Sequence, residues 1–204
     1  MLIKTITVGH LETNCYIVSN ESNLECVVID PGDESNTILD YIESNHLKCK
    51  AVFLTHGHYD HTGAVDSLID ETNAVVYFNE ADDCRSISSQ QFVFTLPENG
   101  VYIHNGDVVS VAGLSFTFYS TPGHTPGSVT IKCDNALFTG DTLFKGSCGR
   151  TDMAGGNYED EMKSLKFICS LGDSLEVYPG HMESSSIIRE KMLNYYCRRA
   201  INEY

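Results

Sequence analysis

Apolar side chains recur at alternate or adjacent positions in three short stretches near the N-terminus: Leu2 to Val8, Cys15 to Ser19 and Glu25 to Ile29. Alternation places successive side chains on opposite faces of an extended chain, so these stretches predict three strands opening an antiparallel sheet. After Asp30-Pro31-Gly32 the spacing becomes helical through Ile38, Leu39 and Ile42, and a short buried strand follows at Ala51 to Leu54. A second helix is predicted from near His61 to about Ile69, then a strand at Ala74 to Phe78; the segment up to Gln91 fits neither period. The second half predicts strands at Val101 to His104, Val108 to Val111, Phe116 to Ser120, Val129 to Cys133 and Ala136 to Phe138. A helix with Met162, Leu165, Ile168 and Cys169 on one side follows, then a strand at Glu176 to Tyr178 and one final helix from about Ser186 to Ala200. Strand runs with interspersed helices in both halves predict an α/β molecule of two packed sheets covered outside by helices.

No linker or low-complexity stretch divides the 204 residues, so residues 1–204 read as a single domain. Thirteen basic against 28 acidic side chains give a formal charge of −15, which repels nucleic-acid phosphate and anionic membrane surfaces. The basic pair Arg198 and Arg199 reads as a solvated helix end. The opening MLIKTITVGH alternates like a strand and meets Lys4 early, so neither a signal peptide nor a membrane span is expected. The eight cysteines contain no CxxC pair and read as free thiols, the expectation for a soluble cytoplasmic protein.

The chemistry concentrates at Thr55 to Gly63, THGHYDHTG, where His56, His58, His61 and Asp60 fall within six residues. Imidazole and carboxylate suit borderline divalent metals such as zinc, and a loop leaving a buried strand can aim them from both sides of a turn. Three further segments carry the same residue types: Thr121 to Ser128 with His124, Thr139 to Thr142 with Asp141, and Tyr178 to His181. Each follows a predicted strand, and the glycines beside the ligands permit the turns that would bring four strand-end loops to one rim. Five histidines and two aspartates are enough for two metals with positions left open for water. His10, His46 and His104 lack such context, although His10 lies close to Thr13-Asn14-Cys15-Tyr16.

The set HxHxDH, PGHTPGS, GD and PGH resembles the metallo-β-lactamase superfamily over most of the chain. Within it, Thr13-Asn14-Cys15-Tyr16, Asp30-Pro31-Gly32 and Gly140-Asp141-Thr142-Leu143-Phe144 to Gly149 resemble the glyoxalase II-like, or hydroxyacylglutathione hydrolase, branch. The resemblance implies a four-layer αββα sandwich with the site at one sheet edge. It assigns His56, His58 and His124 to one metal, Asp60, His61 and His181 to a second, and Asp141 to a bridge between them. Asp60 and Asp141 would then hold the hydroxide shared by the two ions, expected to be Zn2+ with Fe or Mn as alternatives. The implied reaction is attack on a small-molecule thioester such as S-lactoylglutathione, with a thiolate departing.

The substrate is less sharply drawn. Glutathione-binding glyoxalase II enzymes usually carry a further C-terminal helical region, most of which is missing after His181. Arg150 falls where the family often places a glutathione contact, with Lys145 and Tyr59 as further candidates, but Asp152 replaces a common aromatic hydroxyl. Arg150 with Asp152 reads either as a carboxylate-binding group or as a structural ion pair. The string Gly149 to Asp152 also resembles persulfide dioxygenases, which would place one iron at His56, His124 and Asp141, without His58; Pro179-Gly180-His181-Met182 departs from that family's final motif. A noncatalytic metal-binding protein on the same scaffold would be expected to have lost ligands, and none is lost.

Overall fold

The computed structural model describes residues 1–87 and 89–204. The first sheet holds β1 (Leu2–Val8), β2 (Thr13–Asn20), β3 (Glu25–Ile29), β4 (Lys48–Phe53), β5 (Val75–Phe78) and β6 (Val101–Tyr102), in that order. Its first three strands are antiparallel, and β3 through β6 run parallel. The second sheet contains β7 (Val108–Val111), β8 (Leu114–Ser120), β9 (Val129–Cys133), β10 (Ala136–Gly140), β13 (Glu176–Pro179) and β14 (Ser185–Ser186). Their spatial order is β14-β13-β10-β9-β8-β7, and β10 and β13 are parallel. Between them in sequence, β11 (Leu143–Phe144) and β12 (Ser147–Cys148) form a small hairpin.

Three apolar clusters define four layers. Val27 and Ile29 of β3, Ala51 and Phe53 of β4, Phe116 and Phe118 of β8 and Phe138 of β10 pack together between the sheets. The intervening residues Cys26, Val28, Val52 and Leu54 face the other way, onto Ile38 and Ile42 of α1 (Ser35–Ser44) and Val65 and Leu68 of α3 (Val65–Thr72). Strands buried on both faces explain why these read as near-continuous apolar runs. On the far side, Leu137 and Val177 meet Met162, Leu165 and Ile168 of α4 (Tyr158–Ser170), Ile187 of α5 (Ile187–Leu193) and Cys197 and Ala200 of α6 (Tyr195–Glu203). This is the expected αββα sandwich.

Two predicted helices divide. The helix expected from His61 to Ile69 is a single turn, α2 (Tyr59–Thr62), and then α3, because the chain resets at Gly63-Ala64. The expected final helix breaks at Asn194, whose backbone is extended and whose side chain accepts from Tyr196 N and Cys197 N, starting α6 afresh. The strand expected at Val101 to His104 keeps only its first two residues. The segment without a clear period contains a 3-10 turn at Glu80–Asp82. All eight cysteines are free, and no helix among the described residues is long and apolar enough to cross a membrane.

At one edge the sheets are tied by backbone hydrogen bonds: Val129 N donates to Thr55 O at 2.8 Å and Asn14 N to Gly180 O at 2.7 Å. The loops after β4, β8, β10 and β13 meet there, the end of parallel strands where α/β folds commonly place their sites.

Candidate metal centre

The loop after β4 turns at His58 into α2, so one helical turn presents Asp60 and His61 while His56 and His58 project from the strand end. His56 Nε2 and His124 Nε2 lie 3.1 and 3.0 Å from His58 Nδ1. Asp60 Oδ2, His61 Nε2 and His181 Nε2 form a second cluster, with separations of 3.4 to 3.5 Å. Asp141 stands between them: its Oδ1 is 3.4 Å from His61 Nε2, and its Oδ2 is 3.4 Å from His181 Nε2 and 3.5 Å from His124 Nε2. All seven sequence-predicted ligand residues thus converge. Each of the two triads can offer three donor atoms to one ion.

The hydrogen bonds behind the rings fix which nitrogens face inward. His124 Nδ1 donates to Arg150 O at 2.7 Å, His181 Nδ1 to Leu11 O at 3.0 Å and His61 Nδ1 to Asp30 Oδ2 at 2.9 Å. Thr55 Oγ1 gives its proton to Asp30 Oδ2 at 2.6 Å and therefore accepts from His56 Nδ1 at 3.1 Å. Each of these four rings spends its Nδ1 proton on an outer partner and turns Nε2 inward, as metal-binding histidines do. Three ring nitrogens about 3 Å apart, sharing at most the one proton of His58, form a set that a cation stabilises and hydrogen bonding alone does not satisfy. Asp141 Oδ1 is likewise buried without a hydrogen-bond partner. These residues fit divalent metal ions.

Electrostatics divides the two halves. Burial pushes His56 well below its ordinary value and brings His58 down to about 4, with neighbouring imidazoles adding to the effect, so both stay neutral at neutral pH. In the other half burial opposes charge but loses to the carboxylates: Asp141 and Asp30 hold His61 well above its usual range, and Asp141 and Asp60 raise His181 to about 9. Burial would raise Asp60 and Asp141 as well, yet the facing histidines keep both below the ordinary carboxylate range. The second cluster therefore gathers positive charge as protons where a cation would otherwise supply it.

Several supporting residues carry no signal in a ligand pattern. Asp30 groups with His56 and His61, but its Oδ1 accepts from Thr55 N at 2.7 Å and its Oδ2 serves Thr55 and His61. Asp30 thus positions the rings from behind, with its backbone in the left-handed region at φ 51°. Its only trace in sequence is the Asp30-Pro31-Gly32 motif. Buried Asp82, in the segment without a period, joins two loops by accepting from Gly57 N, Thr125 Oγ1 and Gly127 N at 2.6 to 2.9 Å. Thr13 Oγ1 donates to Asp60 Oδ2 at 3.2 Å. At Gly180 a Cβ would collide with Asp141 Oδ1 and crowd His61, so only glycine admits the β13 loop this close to the centre.

A cleft of about 530 Å³ opens over the ligands, walled by Leu11, Phe144, Cys148, Met153 and Met182 and by the substrate candidates Tyr59 and Arg150. Tyr59 stacks on His10 at the rim with ring centroids 6.5 Å apart. The Arg150 guanidinium grips Asp152 through two bonds of 2.7 and 2.8 Å, which lowers Asp152 to about 2. Lys145 lies outside the cleft lining and pairs with Glu183 at 3.1 Å.

Comparison with known proteins agrees with this geometry. Residues 8–181 match the model of the metallo-beta-lactamase superfamily. The chain is 32% identical over 206 residues to hydroxyacylglutathione hydrolase GloC of Haemophilus influenzae, covering 95% of this chain and 97% of that protein. Among solved structures, BLEG-1 B3 metallo-beta-lactamase superposes with a TM-score of 0.86 at 28% identity, covering 96% of this chain and 99% of that one. ETHE1 from Myxococcus xanthus gives 0.83 at 28% identity, with 99% and 91% covered. TTHA1623, solved in a di-iron-bound form, gives 0.81 at 31%, with 95% and 99% covered. With its fold, its clustered ligands and a family match across most of its length, the chain belongs to the metallo-beta-lactamase superfamily.

Proposed function

We propose that this protein is a binuclear metallohydrolase that cleaves small acyl thioesters, with S-lactoylglutathione the lead compound. The observation that carries the reading is the pair of donor triads with Asp141 between them, four of whose rings are held from behind at Nδ1 so that Nε2 faces inward. His56, His58 and His124 would hold one divalent ion, Asp60, His61 and His181 the other, and Asp141 would serve both. When bound, such ions polarise a carbonyl and bring the ionisation of water near neutral pH.

The chain's own residues supply the rest. Asp60 Oδ2 and Asp141 stay ionised, and Asp60 also lines the cleft, so its oxygen can take a proton from the attacking water. Water adds to the thioester carbonyl, the C–S bond breaks, and the products are a carboxylic acid and a thiol. Histidines and carboxylates accept zinc, iron or manganese; zinc is the first expectation, and the di-iron form of TTHA1623 makes iron the next. The charge of −15 supports a small-molecule partner over nucleic acid, and eight free thiols support a reducing, cytoplasmic setting.

A hydroxyacylglutathione hydrolase matched over nearly its whole length supports the thioester reading. The second reading, a mononuclear-iron persulfide dioxygenase, draws on Gly149 to Asp152 and the likeness to ETHE1. Against it, the geometry seats His58 in a full triad and assembles the Asp60, His61 and His181 cluster beside it. Elemental analysis of purified protein, run with thioester-cleavage and oxygen-uptake assays, separates the two. The hydrolase reading expects about two metals per chain and thiol release. One iron with persulfide-dependent oxygen consumption would overturn it.

A further inference from the structure

One strip of the cleft wall is held the way the floor is, by buried groups from behind. Phe144, Ser147 and Cys148 line the cleft from the hairpin of β11 and β12, and the Phe144 ring stands edge-on to His181 with centroids 6.0 Å apart. The hairpin therefore borders the second donor cluster. Two strands of two residues each are too short to fix their own position, since even a longer isolated hairpin is marginal in water.

The hold comes from the C-terminal helices, 44 and 47 residues along the chain. Glu190 of α5 and Asn194, between α5 and α6, are both fully buried. Glu190 Oε2 accepts from Gly146 N in the hairpin turn at 2.7 Å, and Asn194 Nδ2 donates to Ser147 O at 2.8 Å. The two anchors are joined to each other, Asn194 Nδ2 to Glu190 Oε2 at 2.9 Å, while Ser185 Oγ and Arg189 Nη1 donate to the other carboxylate oxygen. Burial would raise Glu190, but these donors hold it below the ordinary carboxylate range, so a charged acceptor meets the Gly146 amide. Asn194 works at both ends: its Oδ1 caps α6 through Tyr196 N and Cys197 N while its Nδ2 reaches the hairpin. The break between the two helices thus serves the cleft wall as well as the helix start. Neither residue lines the cleft.

Resting on the thioesterase reading, we propose that Glu190 and Asn194 are positioning residues for substrate binding: through Gly146 and Ser147 they fix the hairpin that presents Phe144 and Cys148 to the thioester. They act on affinity and take no part in bond breaking.

The test uses the full-length, metal-loaded protein and variants that separate the anchor from its other tasks. Asn194→Ser keeps a hydroxyl able to cap α6 but is too short to reach Ser147 O, and Glu190→Gln keeps an amide oxygen for Gly146 and Asn194 while its NH2 donates to Ser185. For S-lactoylglutathione, KM is expected to rise about fivefold or more in Asn194→Ser, with kcat within about threefold of wild type and metal content unchanged. Glu190→Leu should match Asn194→Ser, and Glu190→Gln should stay close to wild type; if Glu190→Leu does not fold, Asn194→Ser decides. Hydrogen exchange over residues 143–149 reads the anchor itself and should quicken in Asn194→Ser and not in Glu190→Gln. An unchanged KM in Asn194→Ser, or a loss that falls on kcat or on metal content instead, overturns the proposal while leaving thioester hydrolysis standing. Failure of the wild type to cleave the thioester overturns the thioesterase reading, and calorimetric binding of S-hexylglutathione then decides the role of the anchors. Weaker binding in Asn194→Ser supports it; equal affinity in the two proteins, or none in either, refutes it.

Discussion

The floor of the cleft and its wall are made of similar residues and held in opposite ways. On the floor, His56, His58, His61 and His124 are buried, and Asp30, Thr55 and the carbonyls of Leu11 and Arg150 fix the rings from behind. At the wall and just outside it, Arg150 with Asp152 and Lys145 with Glu183 are ion pairs open to solvent, and Leu11 and Met182 stand exposed. A buried donor with one permitted tautomer is preorganised before any ligand arrives, whereas an exposed pair exchanges partners at little cost. Chemistry is therefore expected to be rigid to substitution on the floor, and selectivity tunable on the wall.

The largest break should come from Asp141→Ala, which removes the carboxylate common to both triads. Thiol release is expected to fall by roughly 10³-fold or more, since several kcal/mol of charge stabilisation depend on correctly held ions. Residual activity within tenfold of wild type, measured under saturating metal, would contradict the shared role of Asp141.

The floor also predicts a pH dependence whose sign follows from its charges. In metal-free protein His181 titrates near 9 and His61 is held well above its usual range, so both carry protons at pH 7. An entering cation must displace them. Affinity for the second ion should therefore climb as pH rises toward about 9, roughly tenfold per pH unit for each proton released. Calorimetry in buffers of different ionisation enthalpy counts those protons; affinity that is flat between pH 7 and 9 with no proton release would rule the charge balance out.

Next in size is Asp30→Asn, which leaves the ligands in place but weakens the support of His61 and of Thr55 behind His56. Metal affinity or turnover should drop about 10- to 100-fold, the usual cost of losing an outer partner of a ligand. The smallest effect lies just outside the cleft lining: Lys145→Ala removes a solvent-facing pair with Glu183 and should change stability by no more than about 1 kcal/mol and turnover by less than about threefold. A loss as large as that of Asp30→Asn would erase the distinction between floor and wall.

This contrast also explains what sequence could reveal. His56, His58, Asp60 and His61 are legible because one turn must present them together, and His124, Asp141 and His181 because each follows a strand in a glycine-marked loop. The strands came through because β3 and β4 bury both faces and so read as apolar runs. Asp82 was invisible: its value lies in joining Gly57 to Thr125 and Gly127, contacts that exist only after the sheets meet. The break at Asn194 was missed because apolar spacing continues across it into α6, and the side-chain cap that restarts the helix leaves no mark in periodicity. Whether Arg150 meets a substrate or Asp152 was open in sequence for a similar reason, since residues two apart may or may not close a fork; here they do.

The central claim, a centre that works with two metals, is tested most directly by adding metal stepwise to stripped protein and recording the initial rate of thioester cleavage against equivalents bound. The account predicts a rate that reaches its plateau at about two ions per chain. A plateau at one ion, or cleavage that survives complete removal of metal, would contradict it.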